Sequence, residues 1–333
     1  MPELQLLSNG SYHVMVTGSG HGYSRWNDMS ITRWRADATQ GDGGSCCHVR
    51  DHSAWPSGSA TAQPESLRPD GRGHDFRQGR STIWHRGQEI ETRTEMAVSP
   101  DDPVELRRVV ITNVCKTRRT LSATSYAEIV LSPPATDSAH PAFSKLFIET
   151  EIDPALQAIL ATRRPSTPGD PTPWLFHFAV IGGSAAAAQT FETDRMRFIG
   201  RGRDAGDPQA MDDGAALSGT VGPVLDAVAA IRVPFVLEPG ASITIDWLTG
   251  VATSRAACVA LGRKVRNARA TEQILEQAGS YRRTLLRTLA TSDADALVYQ
   301  RMATSVVYAS ARLRADAGVI EQNRRGQIGR AHV

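Results

Sequence analysis

Apolar and polar side chains alternate with a period of two in several stretches before Val251. The alternation runs from Glu89 to Val98, from Leu121 to Leu131 and from Ile243 to Trp247. A strand with this period turns one face to a core and the other face to water. Clusters of Gly, Pro, Asp and Ser, which are typical of turns, separate the stretches at Ser57–Gly73, Ser99–Pro103, Pro165–Pro173 and Gly202–Gly222. Many short strands with little helix predict a mainly β fold, an antiparallel sandwich.

After Ala252 the apolar residues recur every three or four positions instead. This period is that of an amphipathic helix with one apolar stripe. Ser292 suits the N-cap of a second helix, because its hydroxyl can accept a hydrogen bond from the first turn. The first stripe consists of Ile274, Ala278, Tyr281, Leu285 and Leu289, and the second of Leu297, Val298, Met302, Val306 and Ala309. We predict a sandwich domain over residues 1–252 and linker helices over residues 253–327.

The composition excludes several classes of function. The 333 residues carry a net charge of only +2, so we expect neither a nucleic-acid partner nor direct membrane contact. No apolar run is long enough to span a membrane, and the N-terminus lacks a signal-peptide pattern, which predicts a cytoplasmic location. The four cysteines are irregularly spaced and predict no disulfide framework.

The stretch from Tyr23 to Arg35 combines aromatic rings with arginines. Indole and phenol rings stack on the apolar faces of sugars, and guanidinium groups donate paired hydrogen bonds to hydroxyl and phosphate oxygens. Tyr23–Trp26 is either a sugar-facing loop or a structural turn, with Trp26 on the sandwich edge and Arg25 paired with Asp28. On the following strand, alternation predicts that Trp34 points inward and that both flanking arginines face outward or toward a site.

Cys46, Cys47, His48 and His52 form a cluster of residue types that bind metals. Cys46 and His48 can share one face of a strand, and four ligands are nominally available. The spacing matches no established zinc motif. We therefore predict that the chain binds no metal.

The aromatic and arginine stretch belongs to a series of motifs in consistent order. The series includes Ser8-Asn9-Gly10, Gly22-Tyr23-Ser24-Arg25-Trp26, Thr32-Arg33-Trp34-Arg35-Ala36-Asp37, His140-Pro141-Ala142-Phe143-Ser144-Lys145-Leu146-Phe147, Phe198-Ile199-Gly200-Arg201-Gly202 and Gly250-Val251-Ala252. Together they resemble the glycoside-phosphorylase region of cyclic β-1,2-glucan synthases (glycoside hydrolase family 94, formerly glycosyltransferase family 36). Cellobiose and chitobiose phosphorylases are more distantly similar. The resemblance extends to about Gln327.

The resemblance implies a galactose-mutarotase-like super-β-sandwich, followed by linker helices and an (α/α)₆ barrel. It places the catalytic aspartate and the phosphate site of an inverting phosphorylase in that barrel. It implies no cofactor, because inorganic phosphate is a co-substrate of the parent enzyme. The implied partners are a β-glucan oligosaccharide and a second copy in a homodimer. The parent protein is expected at the bacterial inner membrane.

The last residues of the chain depart from the family pattern. Asn323–Gln327 resembles the entry into the barrel, but the chain then ends with Ile328–Val333. These last six residues match the translation of a common sequencing adapter. We therefore expect a non-native tail over residues 328–333, and a truncated chain whose catalytic barrel, missing here, would follow in cis.

These observations predict the carbohydrate-binding and assembly sandwich of a β-glucan-active enzyme, inactive by itself and without catalytic residues. The alternative is a stand-alone, non-catalytic carbohydrate-binding sandwich, and a third reading is a structural dimerisation module. His140–Phe147 is expected to dock the sandwich on the barrel, with Lys145 as its contact to a partner or ligand. The candidate substrate-binding residues are Tyr23, Ser24, Arg25, Trp26, Arg33, Arg35 and Lys145.

Overall fold

The described strands of this chain lie in two antiparallel sheets that face each other. The computed structural model describes residues 3–34, 44–52, 58–59, 71–77, 79–87, 89–165, 167, 169, 172–183, 188–308 and 315–322. The strands are β1 (Leu4–Ser8), β2 (Tyr12–Thr17), β3 (Gly22–Trp26), β4 (Met29–Thr32), β5 (Cys46–Asp51), β6 (Gly58–Ser59), β7 (Gly71–Arg77), β8 (Arg80–Gly87), β9 (Ile90–Val98), β10 (Val104–Asn113), β11 (Arg119–Ser132), β12 (Ile148–Asp153), β13 (Ala158–Arg163), β14 (Trp174–Gly182), β15 (Thr190–Asp194), β16 (Ala227–Leu237) and β17 (Ser242–Ala252). The helices are α1 (Pro134–Ala139), α2 (Pro141–Lys145), α3 (Arg195–Ile199), α4 (Arg255–Val265), α5 (Ala268–Thr288), α6 (Asp293–Val307) and α7 (Ala317–Glu321), with one 3₁₀ turn at Gln209–Met211.

The nine-stranded sheet has the order β1-β2-β3-β4-β11-β16-β15, and β5 with β6 joins it at β11. The long strand β11 pairs with β5 through residues 121–126 and with β4 through Ile129 and Ser132. The eight-stranded sheet has the order β12-β13-β14-β17-β10-β9-β8-β7. The two antiparallel sheets, followed by helices, confirm the predicted mainly β fold class.

The main core fills the space between the sheets. Strand β9 alternates as predicted, with Ile90, Thr92, Thr94, Met96 and Val98 buried toward the core. We expected strand β11 to have one buried face and one face exposed to solvent. The structure differs, because both faces are buried. Its outer face is covered by α3, whose Phe198 stacks on Tyr126 with ring centroids 4.9 Å apart.

The first helices after the sandwich pack on the outer face of the eight-stranded sheet. A second core there joins Leu106 and Leu248 of the sheet to Cys258 of α4 and Ile274 of α5. The predicted stripe of α5 divides, because Ile274 and Ala278 are buried on the sheet while Leu285 and Leu289 are exposed. No helix within the described ranges is long and apolar enough to cross a membrane.

Helix α6 begins directly after Ser292, which is its N-cap as predicted. The Ser292 hydroxyl accepts a hydrogen bond from the backbone N–H of Asp295, and the Asp295 carboxylate accepts one from the N–H of Ser292. This reciprocal arrangement is a capping box, which satisfies two backbone donors of the first turn. The apolar stripe of α6 is largely exposed, including Leu297, Val298, Met302 and Val306. Ala309 and the expected non-native tail lie outside the described residues.

Candidate functional site

The sequence from Gly22 to Trp26 forms strand β3 rather than either the sugar-facing loop or the structural turn expected from the sequence. It pairs on one side with β2, where Tyr23 lies opposite Met15, and on the other side with β4. Asn27 closes the β3–β4 turn with a φ of 51°, a conformation that asparagine tolerates better than most residues. The motif is therefore held rigidly on both sides, and its side chains alternate between two environments.

Three aromatic side chains meet beside this strand, and we call them the aromatic cluster: Tyr23, Trp34 and Tyr308. The ring centroids of Tyr23 and Trp34 are 5.5 Å apart, and those of Trp34 and Tyr308 are 5.8 Å apart in an edge-to-face arrangement. The guanidinium carbon of Arg25 lies 5.0 Å from the centroid of Tyr23. All four side chains are partly exposed. Aromatic faces with a cationic donor beside them are suited to stacking on a sugar ring and bonding its hydroxyls.

Ser24 and Trp26 point the other way, into the sandwich. Ser24 is fully buried, and its hydroxyl donates a hydrogen bond of 2.7 Å to Glu105. Trp26 packs against the main core. Of the residues predicted to bind substrate on this strand, only Tyr23 and Arg25 share the accessible surface with Trp34. Ser24 and Trp26 tie the strand to the layers beneath it.

Arg33 lies at the centre of a group of charged side chains that we call the ion network: Arg33, Lys145, Arg195, Glu128, Asp137 and Asp226. Its guanidinium nitrogens lie 2.9 Å from Glu128, 3.1 Å from Asp137 and 3.4 Å from Asp226. The prediction for this strand was therefore wrong, because Arg33 is the buried side chain, at 6% exposure, and Trp34 is partly exposed. The three carboxylates offset the free-energy cost of burying the guanidinium charge. An arginine that faced solvent would not need such partners. Arg35 lies outside the described residues.

The ion network also fixes the segment from α1 to α2. Asp137 of α1 pairs with Arg33, and Lys145 of α2 pairs with Asp226. Arg163 adds a hydrogen bond of 2.9 Å to the carbonyl oxygen of Ser144. The His140–Phe147 block therefore contains one short helix, α2, which is fixed to the sandwich together with the preceding α1. Lys145 is engaged within the chain. Of its apolar side chains, Phe143 is 60% exposed.

The electrostatics of the network favour the charged state of Glu128. Burial alone would raise the pKa of this carboxyl group. Hydrogen bonds and charge from Arg195 and Arg33 outweigh burial and lower the pKa to about 2. A carboxylate with a lowered pKa stays ionised at neutral pH, so Glu128 acts as a counter-ion here and is poorly suited to act as a general acid.

The motif Ser8-Asn9-Gly10 serves a turn. The Asn9 amide donates hydrogen bonds to the carbonyl oxygens of Ser99, at 2.8 Å, and Asp102, at 3.0 Å. Its side-chain oxygen accepts a hydrogen bond of 2.8 Å from the backbone N–H of Tyr12. One asparagine therefore joins the first hairpin to the loop before β10, and its amide is occupied within the protein.

A small cavity of about 20 Å³ lies between the sheets. His177, on its wall, lies 2.9 Å from the hydroxyl of Ser125 and 3.0 Å from that of Thr249. Burial, together with the nearby charge of Arg107, lowers the pKa of His177 to about 3. The histidine is therefore neutral at physiological pH, and the cavity has room for about one water molecule. The site is too small for a sugar.

The cysteine and histidine cluster is split by the strand that carries it. The Cys46 sulfur lies 3.5 Å from Nε2 of His48, whereas Cys47 packs into the main core. Burial raises the pKa of the Cys47 thiol to about 12, which keeps it protonated. Within the described ranges no group of three or more His, Cys, Asp or Glu side chains is arranged to hold a metal ion.

Two contributions to the site were missed in the sequence. Tyr308 follows α6 directly, and its sequence neighbours gave no signal of an approach to Trp34. The carboxylates around Arg33 are far away along the chain, with Asp226 separated from it by 193 positions. The pairing of β4 with β11 brings Glu128 close to Arg33, so a correct strand register is the signal that could have identified this partner.

Comparisons with known proteins agree with this architecture. A family model described as the supersandwich domain of glycosyl hydrolase 94 matches residues 1–268. The cyclic β-(1,2)-glucan synthase NdvB of Rhizobium meliloti (strain 1021) is 32% identical over 319 residues, which are 96% of this chain and 11% of that protein. The chain thus spans about a tenth of the length of this relative.

The solved structures that match this chain are distant in sequence. A bacterial glucoamylase in complex with acarbose is 5% identical, with a TM-score of 0.48 over 84% of this chain and 35% of its own. A candidate aldose 1-epimerase from Escherichia coli K12 is 12% identical, with a TM-score of 0.43 over 76% of this chain and all of its own. The family model and the synthase relative together show that the chain belongs to glycosyl hydrolase family 94 and carries its supersandwich domain.

Proposed function

We propose that this chain is the carbohydrate-binding and assembly sandwich of a β-glucan-active enzyme, an inverting glycoside phosphorylase or a cyclic β-1,2-glucan synthase. The observation that carries this proposal is the aromatic cluster beside β3, with the Arg25 guanidinium over the ring of Tyr23. The identity to the named synthase supports β-1,2-glucan as the ligand.

In this proposal the residues predicted from the sequence have two kinds of role. Tyr23 and Arg25, with Trp34, contact the sugar through ring stacking and hydrogen bonds to hydroxyls. Ser24 and Trp26 hold β3 from the inside, through Glu105 and the main core. The ion network, through its buried Arg33 and its partly exposed Lys145, fixes the α1–α2 segment beside the site. Arg35 is proposed as a further contact from its place in the motif alone.

The chemistry itself is assigned to a catalytic barrel elsewhere in the polypeptide. In an inverting phosphorylase one carboxylic acid protonates the glycosidic oxygen, while inorganic phosphate, a co-substrate, attacks the opposite face of the sugar. Exposed Leu289, Met302 and Val306 on the C-terminal helices support a docking role toward such a barrel. We further propose a cytoplasmic location and a homodimer for the assembled enzyme.

This proposal is tested by incubating the purified chain with β-1,2-gluco-oligosaccharides and inorganic phosphate. We expect no glucose 1-phosphate, because the general acid of the reaction is assigned to the catalytic barrel and not to the sandwich. The same sample is run on a gel that contains β-1,2-glucan, where we expect retarded migration. Product that survives repurification and is lost in Glu128→Gln or Asp137→Asn would show that the sandwich has an active site of its own. The absence of any retardation would contradict glucan binding.

A further inference from the structure

The outer face of the eight-stranded sheet has a covered half and an open half. Helices α4 and α5 cover the row that contains Leu106 and Leu248. A row here is a set of residues that lie side by side on neighbouring strands and point to the same face. The second row beyond the covered one, away from the helices, contains Trp84, Arg93, Val110 and Thr244. The next row of the same face contains Arg86, Glu91, Thr112 and Ser242. These side chains are exposed or partly exposed, and we call the two rows the strand platform.

Trp84 is the conspicuous residue of the strand platform. Its side chain is 43% exposed although it is a large apolar group. Its six-membered ring lies over Gly73 of the neighbouring strand, where a Cβ atom would come within 2.2 Å of the ring. The glycine thus lets the indole approach the backbone closely. Such a contact stabilises a glycine in an edge strand, and it holds the ring in one position while a large part of it stays open to solvent.

The groups around the indole are polar and balanced in charge. The Arg93 guanidinium donates a hydrogen bond of 3.1 Å to Glu95, and Arg86 lies opposite Glu91. The hydroxyls of Thr112 and Ser242 are 2.8 Å apart. The two cations of the platform, Arg86 and Arg93, are offset by its Glu91 and by Glu95 in the adjoining row, so the surface has no strong field that would favour nucleic acid or a charged protein surface. The ring is surrounded by hydroxyl, carboxylate and guanidinium groups. These groups can form hydrogen bonds with an uncharged chain that carries many hydroxyl groups.

From this arrangement we propose that the strand platform is a second carbohydrate-binding surface, on which the Trp84 indole stacks on a glucose ring of a β-glucan chain. The flanking Arg93 and Glu91 side chains bond the hydroxyls of that ring and its neighbour. The platform is in the eight-stranded sheet, whereas Tyr23 belongs to the nine-stranded sheet, so the two surfaces are distinct. The proposal rests on the proposed function for the class of ligand. Two surfaces on one chain raise the effective affinity for a long glucan over a short one.

The first test uses the unmodified protein. Tryptophans are oxidised with N-bromosuccinimide in the presence and absence of linear β-1,2-gluco-oligosaccharides, and each site is quantified by mass spectrometry. We expect the glucan to reduce oxidation of Trp84, and an equal concentration of sucrose to have no effect. Unchanged oxidation of Trp84 at a glucan concentration that saturates binding by calorimetry would overturn the proposal.

The second test uses variants of the platform. Trp84→Ala is expected to weaken binding of long glucans about 5- to 10-fold, and Trp84→Phe to retain most of the affinity, since a ring face remains. Tyr299→Ala is the matched control, because Tyr299 is an exposed aromatic on α6. Melting curves identify any variant that fails to fold, and for such a variant the oxidation experiment decides.

The outcomes separate the two proposals. If the wild type and Trp84→Ala bind glucan equally, and glucan does not protect Trp84 from oxidation, the platform proposal is refuted. The proposed function is then unaffected. An absence of glucan binding by the wild type refutes both. If Trp84→Ala changes the oligomeric state and leaves glucan affinity unchanged, the platform is a protein interface and the proposal is wrong.

Discussion

Replacing Arg33 by alanine is expected to lower the free energy of unfolding by about 3 to 5 kcal/mol, because it leaves buried carboxylates without their central cation. Arg33 is 6% exposed and pairs with Glu128, Asp137 and Asp226. Lys145 and Arg195 remain in the variant but cannot occupy the position of the lost guanidinium. Urea denaturation followed by circular dichroism measures the change.

The matched control is Arg118→Ala. Arg118 pairs with Glu238 at 3.3 Å, but both side chains are about two-thirds exposed, so we expect a loss below about 1 kcal/mol. If Arg33→Ala lost no more free energy of unfolding than Arg118→Ala, the ion network would contribute little to stability. The pairing with three carboxylates would then no longer explain why Arg33 is buried.

The ion network also makes a contribution to stability that depends on pH. The folded-state pKa of Glu128 is about 2, below its ordinary value of 4.5. Its stabilising effect is therefore fully present above pH 4.5 and is lost as the pH falls toward 2. In Arg33→Ala the pKa of Glu128 rises toward its ordinary value, so we expect a shallower loss of stability over this range. Equal slopes in the two proteins would show that Arg195 alone lowers the pKa of Glu128, and would contradict the part of the shift assigned to Arg33.

The second large effect is expected for Glu105→Ala, which should lower the free energy of unfolding by about 3 to 5 kcal/mol. Glu105 is 2% exposed and lies on the inner face of β10. Its second oxygen lies 3.7 Å from Nε of Arg107, and Arg107 also donates a hydrogen bond of 3.1 Å to the carbonyl oxygen of Ser45. The variant therefore leaves a guanidinium between the sheets without its opposite charge, and the hydroxyl of Ser24 without its acceptor.

A double variant separates this mechanism from simple loss of packing. Glu105→Leu with Arg107→Met removes both charges and keeps much of the volume. We expect it to recover most of the stability lost in Glu105→Ala, since an apolar replacement avoids the desolvation cost of an unpaired ion. A double variant that is no more stable than Glu105→Ala would show that the unpaired guanidinium is not the source of the loss, and would contradict the mechanism.

Local patterns in the sequence predicted much of the fold. The alternation in β9 matches its burial, since each apolar or small polar residue of the stripe faces the core. The N-cap at Ser292 depends on groups within one helical turn, so it could be identified without the tertiary structure. Strand β11 was harder, because the cover on its outer face comes from α3, more than 60 residues further along the chain.

The candidate site was predicted less completely for the same physical reason. Tyr23 and Arg25 lie together because they are two positions apart on one strand. The inward direction of Arg33 depends on Asp137 and Asp226, which are distant in sequence and lie beside it only in the tertiary structure. Alternation alone cannot distinguish a buried arginine that has carboxylate partners from an exposed one. The contact of Trp34 with Tyr308 likewise depends on the path of α6.

The central claim is that the aromatic cluster binds β-glucan, and calorimetric titration of the purified chain with linear β-1,2-gluco-oligosaccharides tests it most directly. We predict measurable binding by the wild type and a loss of about 10-fold or more for Trp34→Ala, because the central ring of the cluster is removed. Trp174→Ala serves as the control, since Trp174 packs beside the second core, away from β3. Equal affinities of the wild type and Trp34→Ala would contradict the claim.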